Sequence, residues 1–267
     1  MRQKTNSRLT LSIAGIRCCF ILPYTRAIKI RKRYSSFTCH GRPNAVLTIR
    51  SFTRKKGPMI PCLSEHKMIL TIRRFDFICI FNMSLMRGTL DIADNRYSFD
   101  SFLRILYSSL LIRKQGCLMH AAGIIRDNMA IVFPGVSGSG KTTISRACKR
   151  YGVISDEIVA IRQRGKTFVV HSTPFWGEMK STGKNKAAPL KIIYFLCKSG
   201  TFSITEMERP EKMVQLARCL FMFEKEPLAT TRAMTLLARL TSSAHVKTLG
   251  FPRNRTIPWP FLIQQKQ

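Results

Sequence analysis

The chain has 267 residues, 45% of them hydrophobic, and carries 45 Lys plus Arg against 14 Asp plus Glu for a formal net charge of +31. That apolar content supplies a core for one large domain or two small ones and excludes a disordered chain, while no apolar run reaches the ~18 residues of a membrane helix before Arg or Lys breaks it. Nine cysteines, an odd number with no C-x-x-C pair, exclude the spacings of zinc knuckles and redox pairs and read as reduced thiols in a cytoplasmic protein with no membrane partner.

At the N-terminus, Arg2, Lys4 and Arg8 precede an apolar stretch that has the outline of a secretion signal. Arg17 interrupts it, no small-x-small cleavage site follows, and Leu9–Ile13 alternates as a strand does, so no signal is expected. Residues 1–97 are predicted to form a β-rich region, with strands at Leu9–Ile13, Ala45–Phe52 and along Met68–Phe81, and with turns at Gly41–Asn44 and Gly57-Pro58. Charge concentrates here: residues 1–75 hold 17 basic residues and one acid, Glu65. A surface for nucleic acid or another acidic partner is one reading, and a solvated basic surface is the plain one. Arg31-Lys32-Arg33 and Arg54-Lys55-Lys56 are short and bring no aromatic platform or nucleic-acid module, which argues against nucleic acid.

From Ser98 the pattern turns helical. Phe99, Phe102, Leu103, Leu106, Leu110 and Leu111 share one face, Ser98 is a candidate cap, and Asp100 falls in the expected first turn. Leu118–Ile125 and Met129–Phe133 then read as strands joined by the polar turn Arg126-Asp127-Asn128. Two registers are open for this hairpin; one sets His120 opposite Pro134 and the other opposite Gly135. Directly after the second strand comes Gly135-Val136-Ser137-Gly138-Ser139-Gly140-Lys141-Thr142, which fits G-x-x-x-x-G-K-[ST] at every fixed position. Thr143–Arg150 has helical composition. Strand, glycine loop and helix in that order present backbone N–H groups to a polyphosphate. Val153-Ile154-Ser155 leads into the acidic pair Asp156-Glu157, placed by α/β sheet logic at the same crevice as the loop. Phe168–His171 and Lys191–Leu196 are further strands, Pro210–Phe223 and Leu228–Leu240 helices, and Val246–Leu249 a closing strand.

These residue types suit phosphoryl transfer. The amides of Gly135 to Thr143 would cradle phosphates, Lys141 would neutralise the β- and γ-phosphates, and Thr142 with Asp156 would hold Mg²⁺. Glu157 would accept the proton of an incoming hydroxyl or serve as a further metal partner, and His120 at the mouth of the loop would orient groups or relay protons. The plain alternatives are a solvated strand-end pair for the acids and a structural histidine.

Three segments carry a resemblance to a known family: His120-Ala121-Ala122-Gly123, Phe133 through Thr143, and Ser155-Asp156-Glu157-Ile158-Val159. Together they resemble the catalytic domain of HPr kinase/phosphorylase and, within that group, its HPr-kinase-like ATP-binding members. Phe102–Leu106, Ser172–Glu178 and Ala188–Leu196 extend the resemblance, which covers roughly residues 98–255. It implies an α/β P-loop fold similar to phosphoenolpyruvate carboxykinase, a mixed sheet with flanking helices over 98–267, preceded by the β-rich region 1–97. It implies catalytic roles for His120, Asp156 and Glu157, with ATP and Mg²⁺ as cofactors and an unidentified protein or small molecule as phosphoryl acceptor. Glu178 stands where a substrate loop would lie. Glu157 replaces the aspartate usual in the kinase proper, and no Glu-x-Arg-Gly-x-Gly capture loop is present, so the resemblance does not extend to phosphorylase activity or to HPr as acceptor. A nucleotide-binding regulatory or adaptor protein is the rival function, and a homo-oligomer is compatible with either.

Overall fold

The computed structural model describes residues 6–53, 57–179, 184–252 and 259–263. Arg2, Lys4 and the Arg54-Lys55-Lys56 cluster lie outside the described residues. The chain divides into two compact units, residues 1–109 with 223–230 and residues 110–222 with 231–267.

The first unit is a seven-stranded mixed sheet in the order β1-β2-β3-β7-β6-β5-β4. It is built from β1 (Asn6–Ile13), β2 (Ile16–Pro23), helix α1 (Tyr24–Arg33), β3 (Ala45–Ser51), β4 (Cys62–His66), β5 (Ile69–Arg74), β6 (Phe77–Asn82) and β7 (Arg87–Ile92). The Met68–Phe81 stretch is thus two strands of an antiparallel ladder, because Asp76 and its neighbours turn the chain between them. Helix α2 (Arg96–Ile112) sets its aromatic stripe on this unit, with Phe99 edge-on to Phe20 at 5.3 Å and Phe102 edge-on to Phe77 at 5.7 Å. Its cap is not Ser98. The helix begins two residues earlier, and the Asn95 side-chain oxygen accepts the Ser98 N–H at 2.9 Å. Asp100 therefore sits beyond the first turn, where its carboxylate accepts the Tyr34 hydroxyl at 2.6 Å and pairs with Arg33 at 3.2 Å. Arg31-Lys32-Arg33 forms the last turn of α1, where cations suit the helix dipole.

The second unit is an eight-stranded mixed sheet flanked by helices. In chain order it contains β8 (Gly116–Arg126), β9 (Met129–Pro134), α3 (Lys141–Ala147), β10 (Val153–Ser155), β11 (Ile158–Arg164), β12 (Thr167–His171) and β13 (Ala187–Lys198). These are followed by β14 (Ser203–Glu206), α4 (Arg209–Cys219), α5 (Pro227–Ser243, in this unit from Thr231 onward), β15 (His245–Phe251) and α6 (Trp259–Ile263). Asp127 and Asn128 both take positive φ, 51° and 56°, the combination a tight two-residue hairpin requires, and they fix the β8–β9 register with Arg126 opposite Met129. Strand β9 runs parallel to β13, and β13 parallel to β15, whereas β8 is antiparallel to both β9 and β10. The carboxyl ends of β9, β10, β13 and β15 therefore share one edge with the amino-terminal half of β8.

Alternation along β8 and β9 builds a core on each face. Met119, Ala121, Ala130 and Val132 pack in a cluster with Leu216 of α4 and Leu236, Leu237 and Leu240 of α5. Ala122, Ile124, Ile131 and Phe133 pack with Ile144 of α3 and Leu262 of α6. Strand β15, expected to close the sheet, lies inside it, because β14 pairs along its outer side. None of the nine cysteines is in a disulfide. Among the described residues, no helix is long and apolar enough to cross a membrane.

Candidate functional site

The glycine loop leaves β9 at the shared sheet edge. Its first residue is still in the ladder: Gly135 N–H donates to the His120 carbonyl at 3.0 Å. Of the two registers open from sequence, the structure adopts the one that sets His120 opposite Gly135. The loop then folds tightly on itself, since a Cβ at Gly135 would stand 2.1 Å from Ser139 Oγ and 2.6 Å from its Cβ. Gly138 and Gly140 take φ of 80° and 99°, left-handed values that glycine adopts freely. Lys141 opens α3, two residues before the expected start at Thr143; α3 is seven residues long and passes into a 3-10 turn at Lys149–Tyr151. The Lys141 ammonium donates to the carbonyls of Gly135 at 2.7 Å and Val136 at 2.9 Å. Burial lowers its pKa, opposed by Cys219, Glu157 and Asp156 nearby. Ser139 Oγ is buried with no hydrogen-bond partner among the described residues.

The acidic pair occupies the break between β10 and β11, both of which pair with β8. Ser155 lies opposite Gly123 and Ile158 opposite His120. Ser155 Oγ shapes the break by accepting the N–H groups of Glu157 at 3.1 Å and Ile158 at 3.0 Å, and the Glu157 carbonyl accepts Ala121 N–H at 3.0 Å. His120, Gly135 and Ile158 thus form one row across three strands, with Glu157 in the next row. Asp156 is 3% exposed, and each of its oxygens accepts a backbone N–H at 2.9 Å, one from Gly177 and one from Met179. Glu178 lies between those donors and reaches Arg146 of α3 at 3.4 Å, an exposed pair. Trp176, in the same segment, buries its indole Nε1 without a hydrogen-bond partner among the described residues.

Two parts of this site were not foreseen. The apolar period of α4 runs on past its end, yet the helix stops at Cys219 because the next residues join the sheet: Leu220 bridges Met119 and Phe221 N–H donates to the Leu118 carbonyl at 2.9 Å. They take up the side of β8 that β9 vacates at the loop. The Phe221 ring meets His120 edge-on at 4.9 Å, and Cys219, its thiol pushed up to about 11 by burial against the opposing charge of Lys141, lies close to the loop. On the other side of the loop is a cavity of about 570 Å³, lined by Gly138, Ser139, Gly140 and Thr143 and by Lys198, Ser199, Gly200 and Phe251. No local pattern marks these residues; they meet because β13 and β15 run parallel to β9 and end at the same edge.

Of the two residues expected to hold a divalent cation, Thr142 lies in the first turn of α3 and Asp156 is buried with each carboxylate oxygen already accepting a backbone N–H. Among the described residues no cluster of three or more His, Cys, Asp or Glu side chains could hold a metal unaided. A cation here would complete its shell with water and ligand oxygens, as Mg²⁺ does on phosphates.

The model of the family described as SynChlorMet cassette protein ScmC matches residues 94–236, a span that contains His120, the glycine loop, the acidic pair and Glu178. No curated protein matches the chain. Among solved structures, the HPr(Ser) kinase/phosphatase from Coxiella burnetii is similar at 10% identity and a TM-score of 0.29, over 51% of this chain and 86% of that one.

Proposed function

The chain belongs to the family of SynChlorMet cassette protein ScmC, and from the geometry of its glycine loop we propose that it is a Mg·ATP-dependent phosphotransferase of HPr-kinase-like type. It would move a γ-phosphoryl group to a hydroxyl of a protein or small molecule. One observation carries the reading: a complete G-x-x-x-x-G-K-T sequence sits at the carboxyl end of a buried strand, Gly138 and Gly140 in left-handed conformations, with His120 on the neighbouring strand and the charges of Asp156 and Glu157 felt at Lys141. Ser139 Oγ adds to it, because a buried hydroxyl without a partner suits an acceptor such as a phosphate oxygen.

In this reading the loop amides and Lys141 bind and orient the polyphosphate, the ammonium exchanging the Gly135 and Val136 carbonyls for phosphate oxygens. Burial of the lysine strengthens its pull on a polyanion by lowering the local dielectric. Thr142 and the second lone pairs of the Asp156 carboxylate would hold Mg²⁺, which supplies charge neutralisation on the phosphates. Glu157 takes the proton from the acceptor hydroxyl, and His120 orients that hydroxyl. The basic first unit is left without a nucleic-acid role.

The regulatory alternative, in which nucleotide sets conformation without transfer, draws on one observation. Asp156 already satisfies two backbone donors of the 177–179 segment, so it is equipped as an anchor for that segment whether or not chemistry follows.

Calorimetry with Mg·ATP tests the primary reading at its root. The parent chain is expected to bind, and Lys141→Ala to lose binding while keeping the parent's circular dichroism. A folded Lys141→Ala chain with unchanged affinity would sink the assignment of the loop.

A further inference from the structure

The glycine loop has two flanks. The acids, His120, Cys219 and Phe221 gather on the β8 side, and the cavity of about 570 Å³ opens on the β13 side. The Lys141 ammonium is close enough to Glu157 and Asp156 to feel their charge, and none of these three residues lines the cavity. A nucleoside triphosphate laid across the loop with its reacting end at the acids must extend its nucleoside the other way. The cavity lies where that nucleoside would go. Its volume falls within the range of small-molecule sites, and it opens at the carboxyl ends of parallel strands.

We propose that this cavity is the nucleoside subsite, with Phe251 as its apolar wall, and that it takes the base by shape and stacking rather than by paired side-chain hydrogen bonds to the base edge. The proposal rests on the ATP reading of the loop. Phe251 is fixed in place by its ladder partner Lys198 at the end of β13, and its ring lies 3.6 Å from the position of a Cβ at Gly140. The same ring therefore supports the loop and forms the wall beside it. Across the cavity, the 198–200 turn is held by Ser199 N–H on the Phe251 carbonyl at 3.4 Å and by Thr201 N–H on Ser199 Oγ at 3.2 Å. The Ser199 hydroxyl is thereby engaged as an acceptor. Among the described residues the lining includes no Asp, Glu, Asn or Gln, the side chains that read purine edges in pairs of hydrogen bonds. Lys198 contributes a cation without directional selectivity. A stacking wall accepts any base with a π-face.

Gly200 allows a clean block. It lines the cavity, a Cβ there meets nothing within 4 Å, and its φ is outside the left-handed range, so Gly200→Phe adds a large ring at the cavity lining without straining the turn. Calorimetry is run with Mg·ATP, Mg·GTP and Mg·tripolyphosphate on the parent, Gly200→Phe and Lys141→Ala. The parent should bind ATP and GTP within about threefold of each other and both roughly tenfold or more tighter than tripolyphosphate. Gly200→Phe should bring both nucleotides down to the tripolyphosphate level and leave tripolyphosphate unchanged, which also reports an intact loop. Parent affinities equal for ATP and tripolyphosphate overturn the subsite without using any variant. So does undiminished ATP binding by Gly200→Phe while Lys141→Ala has lost it, an outcome that leaves the loop assignment standing. A preference for one purine above about a hundredfold overturns the stacking claim, and absence of all binding by the parent overturns the subsite together with the reading beneath it.

Discussion

Gly135 and His120 are joined by a backbone hydrogen bond of 3.0 Å, the last one made between β9 and β8 before the chain departs into the glycine loop. Loop entrance and histidine are therefore rigidly coupled through the sheet, and Phe221 packs edge-on against the imidazole from the strand edge beyond. His120→Gln should leave Mg·ATP affinity within a few-fold of the parent while lowering turnover by about 10²-fold, the scale of a lost acid–base or orienting group. Steady-state kinetics beside calorimetry separates the two, and unchanged turnover removes His120 from the mechanism.

The acids are expected to part company. Asp156→Asn replaces one acceptor oxygen with a donor facing a backbone N–H, so it should cost about 1.5–3 kcal/mol in denaturant unfolding. Glu157 is partly buried at the break, and Glu157→Gln should leave stability near the parent's but reduce turnover at least ~10²-fold with nucleotide still bound. The double variant should combine both effects. If it transfers or hydrolyses phosphate as fast as the parent, the pair is structural and the regulatory reading moves ahead.

The loop's closure on itself has a genetic signature. Gly135→Ala would drive a methyl group into Ser139 Oγ and Cβ, and should abolish ATP binding. Ser139→Gly removes both obstructing atoms, so the double variant Gly135→Ala/Ser139→Gly should recover binding beyond what the single effects add up to. A double variant no better than Gly135→Ala alone would show that the tight contact does not decide the loop's shape.

His171 supplies a pH dependence away from the loop. Its Nε2 is buried without a partner among the described residues, and burial, followed by the charges of Arg162 and Arg164, lowers its pKa to about 4. The unfolded imidazole takes up a proton near its ordinary pKa of 6.5, so this group's contribution to stability is complete above that value and is lost as pH falls toward 4. The loss is on the order of 3 kcal/mol. Unfolding midpoints measured across that window should fall in the parent and fall less in His171→Phe. Equal slopes in the two proteins would mean that the folded state protonates this imidazole freely.

The sequence by itself determined what is written in short-range chemistry. The glycine loop, the hairpin turn at Asp127-Asn128, the helix carrying Phe99 and Phe102, and most strand positions were legible because each rests on neighbours a few residues apart, through positive φ, capping or apolar period. Even there the ends shifted: Asn95 rather than Ser98 caps α2, and α4 yields its last expected turn to the bridge between Leu220 and Met119. What only the tertiary structure decided is which strand lies beside which. That choice set His120 against Gly135, tied Asp156 to Gly177 and Met179, brought Cys219 and Phe221 to one flank of the loop, and brought Phe251 and the 198–200 turn to the other. Strand order depends on burying two apolar faces at once across residues more than a hundred positions apart, and no local spacing encodes that requirement.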